Sequence, residues 1–199
     1  MSMADDLLEQ HIMLANLRRT GLTRLGVMPW VDEFMAHLQG CERFPGHVRA
    51  RPRAGIWNNA MVDVMAAPHF LDFAKSLTPL ATDYFGEAAH LWSLNAFYTD
   101  AKTPYIGSVN GMHRDREADK ILTLFMLGSD TEITGAQILV GKSEQDAALI
   151  YGKAGTCWLA DTRHWHCGLL PLQPRCLAWA RWANVVPMAA AAEQLPEVA

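Results

Sequence analysis

Apolar residues recur at helical spacing over the first ninety positions and at strand spacing over the next ninety. In residues 3–19, Leu7, Leu8, His11, Ile12, Leu14, Ala15 and Leu17 return every three or four positions, and Gly21 is placed to stop the helix. A second, shorter helix is predicted after Pro29, through Val31, Phe34, Met35 and Leu38, ending at Gly40. Residues 59–66 allow a turn or two of helix. Residues 69–89 carry a longer apolar stripe of Phe70, Leu71, Phe73, Ala74, Leu77, Leu80, Ala81, Tyr84 and Phe85. Pro79 interrupts that stripe, because proline has no N–H and its ring clashes with the preceding turn. The stretch 41–56 holds Pro45, Gly46, Pro52 and Gly55 among arginines and reads as an irregular loop, of the kind that crosses an active-site mouth.

At about residue 90 the period becomes two. Trp92, Leu94, Ala96 and Tyr98 alternate with Ser93, Asn95, Phe97 and Thr99, so the two sets point to opposite faces of a strand. Further short runs follow at Thr103–Gly111, Ile121–Leu127, Ala136–Val140, Cys157–Ala160, Trp165–Leu170 and Cys176–Trp182, separated by Gly, Pro, Asp and Asn. Many short strands after helices fit a barrel or sandwich flanked by helices. The expectation is a single domain, mainly β with helical N-terminal support. Residues 1–89 form the support, 90–184 the β core, and 185–199 an Ala- and Glu-rich tail that frays. Half of the 199 residues are hydrophobic, so a sizeable core is available.

Charge and cysteine usage narrow the class. The net charge is −4 and the basic residues are scattered, which argues against a phosphate-tracking surface and so against nucleic acid. No apolar run approaches the roughly 20 residues of a membrane span. Acidic Asp5, Asp6 and Glu9 stand where a signal peptide would have a basic start and an apolar run. Cys41, Cys157, Cys167 and Cys176 form no Cys-x-x-Cys pair, and a cytoplasmic enzyme with free thiols is the plain reading.

The candidate chemistry begins at Asn110-Gly-Met-His-Arg-Asp115. In an extended segment His113 and Asp115 point to one face and are able to share a metal ion. The pair alone is weak evidence, since a polar surface turn beside Arg114, Arg116 and Glu117 looks the same. A second histidine is available in Asp161-Thr-Arg-His-Trp-His166. His164 and His166 share a face by the same period, which does not choose between them. Two histidines and one carboxylate, with the other positions open, form the ligand set of non-haem Fe(II) oxygenases. Arg175 opens the last strongly apolar strand and shares a face with Leu177, Trp179 and Arg181. An antiparallel partner strand would bring it near the His164–His166 run. An arginine aimed into a barrel is costly unless an anion meets it. A dicarboxylate cosubstrate would supply that anion, and the guanidinium fork matches a carboxylate.

These pieces resemble the phytanoyl-CoA dioxygenase-like family of Fe(II)/2-oxoglutarate oxygenases. The resemblance rests on His113-Arg-Asp115, Lys120-Ile-Leu-Thr-Leu-Phe-Met-Leu-Gly-Ser-Asp130, Thr134-Gly-Ala136, Asp161-Thr-Arg-His-Trp-His-Cys-Gly168 and Arg175, and covers about residues 90–184. It implies a double-stranded β-helix, the jelly roll also found in cupins. It implies Fe(II) held by His113, Asp115 and His166, with 2-oxoglutarate anchored by Arg175, and His164 beside the ligands or touching substrate. It implies oxidation of a small organic substrate by O2, with hydroxylation as the default, and release of succinate and CO2. Asp115 argues against halogenation, because related halogenases carry a small residue there. Two features depart from the family. Leu139-Val-Gly-Lys-Ser-Glu144 lacks its frequent Pro-Gly-Ser-His turn, and Arg175 follows His166 by only nine residues. Both bear on the cosubstrate site more than on the metal.

Weaker candidates complete the picture. Asn95, Tyr98 and Thr123 are possible hydrogen-bond donors to the cosubstrate, against ordinary sheet polarity. Trp57, Asn58 and Asn59 follow the Gly/Pro/Arg loop, where a lid would sit, and Arg49, Arg51 and Arg53 could meet an acidic substrate there. The rival readings are a cupin-like metalloprotein that does not use 2-oxoglutarate, with Arg175 structural, and a non-catalytic binding protein on the same scaffold.

Overall fold

The N-terminal helix α1 (Met3–Thr20) stops where Gly21 takes a positive φ of 75° and its N–H bonds to the Leu17 carbonyl at 2.7 Å. Glycine adopts that left-handed turn without a Cβ clash. The structure, a computed structural model, describes residues 3–41, 52–53, 56–58, 64–99, 112–134, 138–143, 145–169 and 172–186. Thr103–Gly111, the tail from Pro187, and most of 41–56 and 59–66 lie outside these residues.

Helix α2 (Val31–Gly40) follows the expected bounds and buries Val31, Phe34 and Leu38. The stripe at 69–89 resolves into α3 (Phe70–Ser76) and α4 (Thr78–Phe85), with the break at Leu77. Pro79 sits in the first turn of α4, where its missing N–H costs no helical bond.

Ten strands form two sheets among the described residues. The larger has seven, in the order β1 (Leu22–Val27), β8 (Thr156–Ala160), β5 (Ile121–Leu127), β10 (Arg175–Ala183), β4 (His90–Thr99), β3 (Ile56–Asn58) and β2 (Pro52–Arg53). The smaller has three, β7 (Ala148–Ile150), β6 (Ile138–Gly141) and β9 (Trp165–Gly168). Every pairing is antiparallel. A four-residue helix, α5 (Thr131–Thr134), links β5 to β6. The two sheets face each other as a double-stranded β-helix, mainly β with helical support.

Period-two alternation sorts the larger sheet into two buried faces. One packs on the helices: Leu122, Leu124, Met126, Cys176, Ala178, Ala180 and Trp182 join Leu17, Phe34, Phe70 and Leu80. The other faces the smaller sheet: Phe125, Leu127, Leu177 and Trp179 meet Ile138, Val140 and Ile150. β5 is therefore buried at every position, as expected of a central strand covered on both sides. Burial pushes the thiol of Cys176 up to about 12 and that of Cys157 higher still, and Cys157, Cys167 and Cys176 are buried free thiols.

Several features differ from the expectation. β1 was not foreseen: a register shift between Arg24 and Gly26 breaks its alternation, and its hydrogen bonds to β8 define it as a strand. β7 and α5 are too short to leave a period. Within the stretch read as irregular, Pro52–Arg53 and Ile56–Asn58 pair with each other and extend the sheet beside β4. β10 pairs with β4 and β5, not with the strand that holds His166. β9 lies in the opposite sheet, because the apolar faces of both sheets are buried only when packed face to face.

Trp182 is fully buried, and its Nε1–H donates to Thr78 Oγ1 at 3.1 Å, which ties the sheet to α4. Trp182→Ala is expected to cost about 3–5 kcal/mol of unfolding free energy. Urea denaturation checks this, and a loss below about 1 kcal/mol would mean that the helix layer repacks around the gap.

Candidate metal centre

His113 and Asp115 lie on an extended segment that belongs to neither named sheet and is stitched to the β8–β9 region. The His113 N–H donates to His166 O at 3.0 Å, and the His166 N–H returns to His113 O at 2.8 Å. Two residues on, the Asp115 N–H donates to Thr162 O at 2.9 Å. Period two then turns both side chains of the segment toward the first residues of β9. One ligand atom from each of His113, Asp115 and His166 lies within 4.8 Å of the others. His166 Nε2 is 3.8 Å from Asp115 Oδ1, and the two imidazole centroids are 4.2 Å apart. Asp115 and His166 are buried and His113 is half-buried.

The hydrogen bonds around His166 suit a metal. Its Nδ1 is 3.0 Å from the His164 carbonyl. A carbonyl only accepts, so Nδ1 carries the proton and Nε2 keeps its lone pair toward Asp115. Burial pushes the His166 imidazole below its usual range, while the Asp115 carboxylate pulls the other way. A neutral imidazole is the metal-binding form. Two imidazoles and one carboxylate with further positions open fit a first-row divalent ion such as Fe(II).

The turn between β8 and β9 is pinned from below. Arg163 donates to Asp161 through Nε at 3.1 Å and through its terminal nitrogen at 2.8 Å, and also to the Asp119 carbonyl. The Tyr84 hydroxyl donates to Asp161 Oδ2 at 2.9 Å, and burial followed by the Asp161 charge pushes the phenol up. Thr123 and Thr162 share a hydroxyl hydrogen bond of 2.9 Å. These contacts hold the two carbonyls, of Thr162 and His164, that orient Asp115 and His166.

His164 stands outside the ligand group, and its ring lies over Gly21, where a Cβ would collide with it. It acts on the site through its carbonyl. Arg175 is buried on the inner face of β10, with a terminal nitrogen 3.5 Å from the Leu169 carbonyl. Leu169 is three residues past His166, about 10 Å along an extended chain, so Arg175 and the ligands border one interior. It gets there across the barrel and not along a paired strand. Asn95 is half-buried opposite Trp179, and its Oδ1 accepts the Ala96 N–H at 3.1 Å. Tyr98 occupies the alternate parity, opposite Cys176. The side chains of Tyr98, Trp57 and Arg53, and all of Asn59, lie outside the described residues. Trp57 and Arg53 have backbone positions on the ribbon at the sheet edge beside β4. Beside Asp115 the surface opens into a depression of about 430 Å³ lined by Arg114, Asp115, Arg116, Ala118, Asp119 and Arg163.

Arg181 was not assigned a role from sequence. A terminal nitrogen of its guanidinium lies 3.1 Å from Asp115 Oδ2. Its shared parity with Arg175 on β10 was the available signal.

No protein-family profile matches the chain, and no curated protein aligns with it by sequence. Solved structures do match in fold. The non-heme alpha-ketoglutarate-dependent epimerase SnoN from nogalamycin biosynthesis superposes with a TM-score of 0.68 at 18% identity, over 97% of this chain and 92% of that one. A Pseudomonas putida prolyl-4-hydroxylase gives 0.65 at 13% identity, over 88% and 99%. EctD from S. alaskensis, solved with 2-oxoglutarate and 5-hydroxyectoine, gives 0.64 at 15% identity, over 86% and 75%. SnoN has also been solved with Fe3+, alpha-ketoglutarate and nogalamycin RO. The chain thus shares the double-stranded β-helix fold of these proteins. Among the described residues, no helix is long and apolar enough to cross a membrane.

Proposed function

We propose that the chain is an Fe(II)- and 2-oxoglutarate-dependent oxygenase acting on a small organic molecule. The observation that carries this reading is the meeting of His113, Asp115 and His166, from two segments fifty residues apart, inside this fold. Those three side chains hold the iron, and Arg175 takes the far carboxylate of 2-oxoglutarate. Bound there, Fe(II) and 2-oxoglutarate supply the oxidation of a substrate C–H bond by O2, with release of succinate and CO2.

The chain's own residues prepare the site. The His164 carbonyl holds the His166 tautomer, and the Thr162 carbonyl holds the Asp115 backbone. Phe125, Val140, Leu177 and Trp179 line an apolar interior that limits water. Arg175 brings a buried positive charge to the inner face of β10, toward which a carboxylate would turn. His113-Arg-Asp115, Asp161–Gly168 and Arg175 favour a phytanoyl-CoA dioxygenase-like member of the class. Asn95 and Thr123 are assigned to the cosubstrate, and Trp57, Asn59 and Arg53 to the substrate side; Tyr98, at the alternate parity of β4, and His164, whose ring lies over Gly21, are not. Free cysteines suit a reducing, cytoplasmic setting.

The test adds 2-oxoglutarate to the anaerobic Fe(II) protein, then O2 with a panel of small acids, amino acids and natural-product intermediates. A visible charge-transfer band and substrate-stimulated succinate are expected. Metal binding with neither band nor succinate would transfer the chain to the cupin-like metalloproteins. No metal binding would leave a non-catalytic binding protein.

A further inference from the structure

We infer that Arg181 is a positioning residue for the metal ion, holding the Asp115 carboxylate so that one oxygen faces the ion and the other is withheld from it. The inference rests on the reading of His113, Asp115 and His166 as metal ligands.

The two oxygens of Asp115 have different neighbours. Oδ1 is 3.8 Å from His166 Nε2, on the side of the shared ligand position. Oδ2 is 3.1 Å from a terminal nitrogen of Arg181. Oδ2 is buried and makes no hydrogen bond among the described residues, so the guanidinium charge is what offsets it. Arg181 is itself restrained. Its guanidinium carbon stands 4.3 Å from the centroid of the Trp179 ring, two residues back on the same face of β10. Its other terminal nitrogen is 3.8 Å from Glu117 Oε1, and Thr123 is its register partner on β5. The side chain is only 17% exposed. A planar cation stacked on Trp179 and paired with Glu117 defines the rotation of the carboxylate it faces.

That rotation matters for coordination. A carboxylate that binds through both oxygens takes two positions on an octahedral ion. With two imidazoles it would leave too few for a chelating 2-oxo acid and O2 together. Binding through Oδ1 alone keeps three positions open.

The sign of the effect separates positioning from simple charge. A cation this close to a divalent ion repels it. If Arg181 acted only through its charge, its removal would tighten metal binding. If it positions Asp115, removal weakens binding, by about 10–100-fold, as for other partners of metal ligands.

The experiment titrates metal-free wild type, Arg181→Gln and Arg181→Lys with Mn(II), by calorimetry and by the Mn(II) electron paramagnetic resonance signal. Far-ultraviolet circular dichroism and melting of the metal-free proteins check the fold. Arg181→Gln is expected to bind Mn(II) roughly 10–100-fold more weakly. Arg181→Lys, which keeps a donor and a charge near Oδ2, is expected to fall between it and wild type. Binding by Arg181→Gln as tight as wild type, or tighter, would overturn the inference and leave the metal site standing. If Arg181→Gln does not fold, Arg181→Lys decides, and an affinity and spectrum equal to wild type would overturn it. Wild type that takes up no Mn(II) would remove the metal site and this inference together.

Discussion

Asp115→Ala is expected to lose metal binding by more than 100-fold, since even residues that only support a ligand are worth about 10–100-fold. Succinate release should fall with it. Two effects act in the same direction. The substitution deletes the anion from a set whose other members are imidazoles. It also leaves the Arg181 guanidinium beside the ligand position with Glu117, at 3.8 Å, as its remaining carboxylate neighbour among the described residues. The site becomes less negative and the nearby cation less compensated. A second substitution, Arg181→Met, removes that cation. It should recover part of any stability lost, because an unpaired buried charge is costly, while leaving metal binding defective. Calorimetric titration with Mn(II) and urea denaturation measure the two quantities separately. An Asp115→Ala protein that binds Mn(II) within a few-fold of wild type would end the assignment of Asp115 as a ligand.

Arg175→Met is expected to raise the KM for 2-oxoglutarate strongly while sparing metal affinity. Truncating one partner of a buried, hydrogen-bonded charge pair costs about 2–5 kcal/mol, or about 30-fold and upward in affinity. The methionine keeps most of the apolar stem, so the buried inner face of β10 stays filled. The control is a 2-oxo acid without the second carboxylate, such as 2-oxobutyrate, which offers Arg175 nothing to bind. Wild type and variant should handle it alike, if weakly. Succinate release against 2-oxoglutarate concentration gives the first number, and Mn(II) titration shows whether the metal site is intact. A KM unchanged from wild type would make Arg175 a structural residue and favour the cupin-like alternative.

The limits of the sequence show in particular residues. The strand at Ile121–Leu127 was legible to the residue, because seven consecutive apolar or β-favouring positions between Lys120 and Gly128 have few other uses. β1 was not, because the bulge before Gly26 removes the alternation by which a strand is recognised. Period two treats His164 and His166 alike, and only the family resemblance of the Asp161–Gly168 stretch points to His166. In the fold His166 bridges to His113 and His164 turns its ring onto Gly21. Arg181 was visible as a charge on the inner face of β10. Its partner Asp115 is distant in sequence, and nothing local signals the contact.

Local periodicity by itself determined where helices give way to strands, which residues of β5 and β10 share a face, and that His113 and Asp115 form a pair. These depend on backbone repeats of 3.6 and 2.0 residues, which each segment carries alone. The tertiary structure decided that β9 and β10 lie in opposite sheets, that His166 completes the ligand set, and that Arg181 meets Asp115. Those outcomes follow from burying two apolar sheet faces against each other, a constraint on the whole chain that no single segment records.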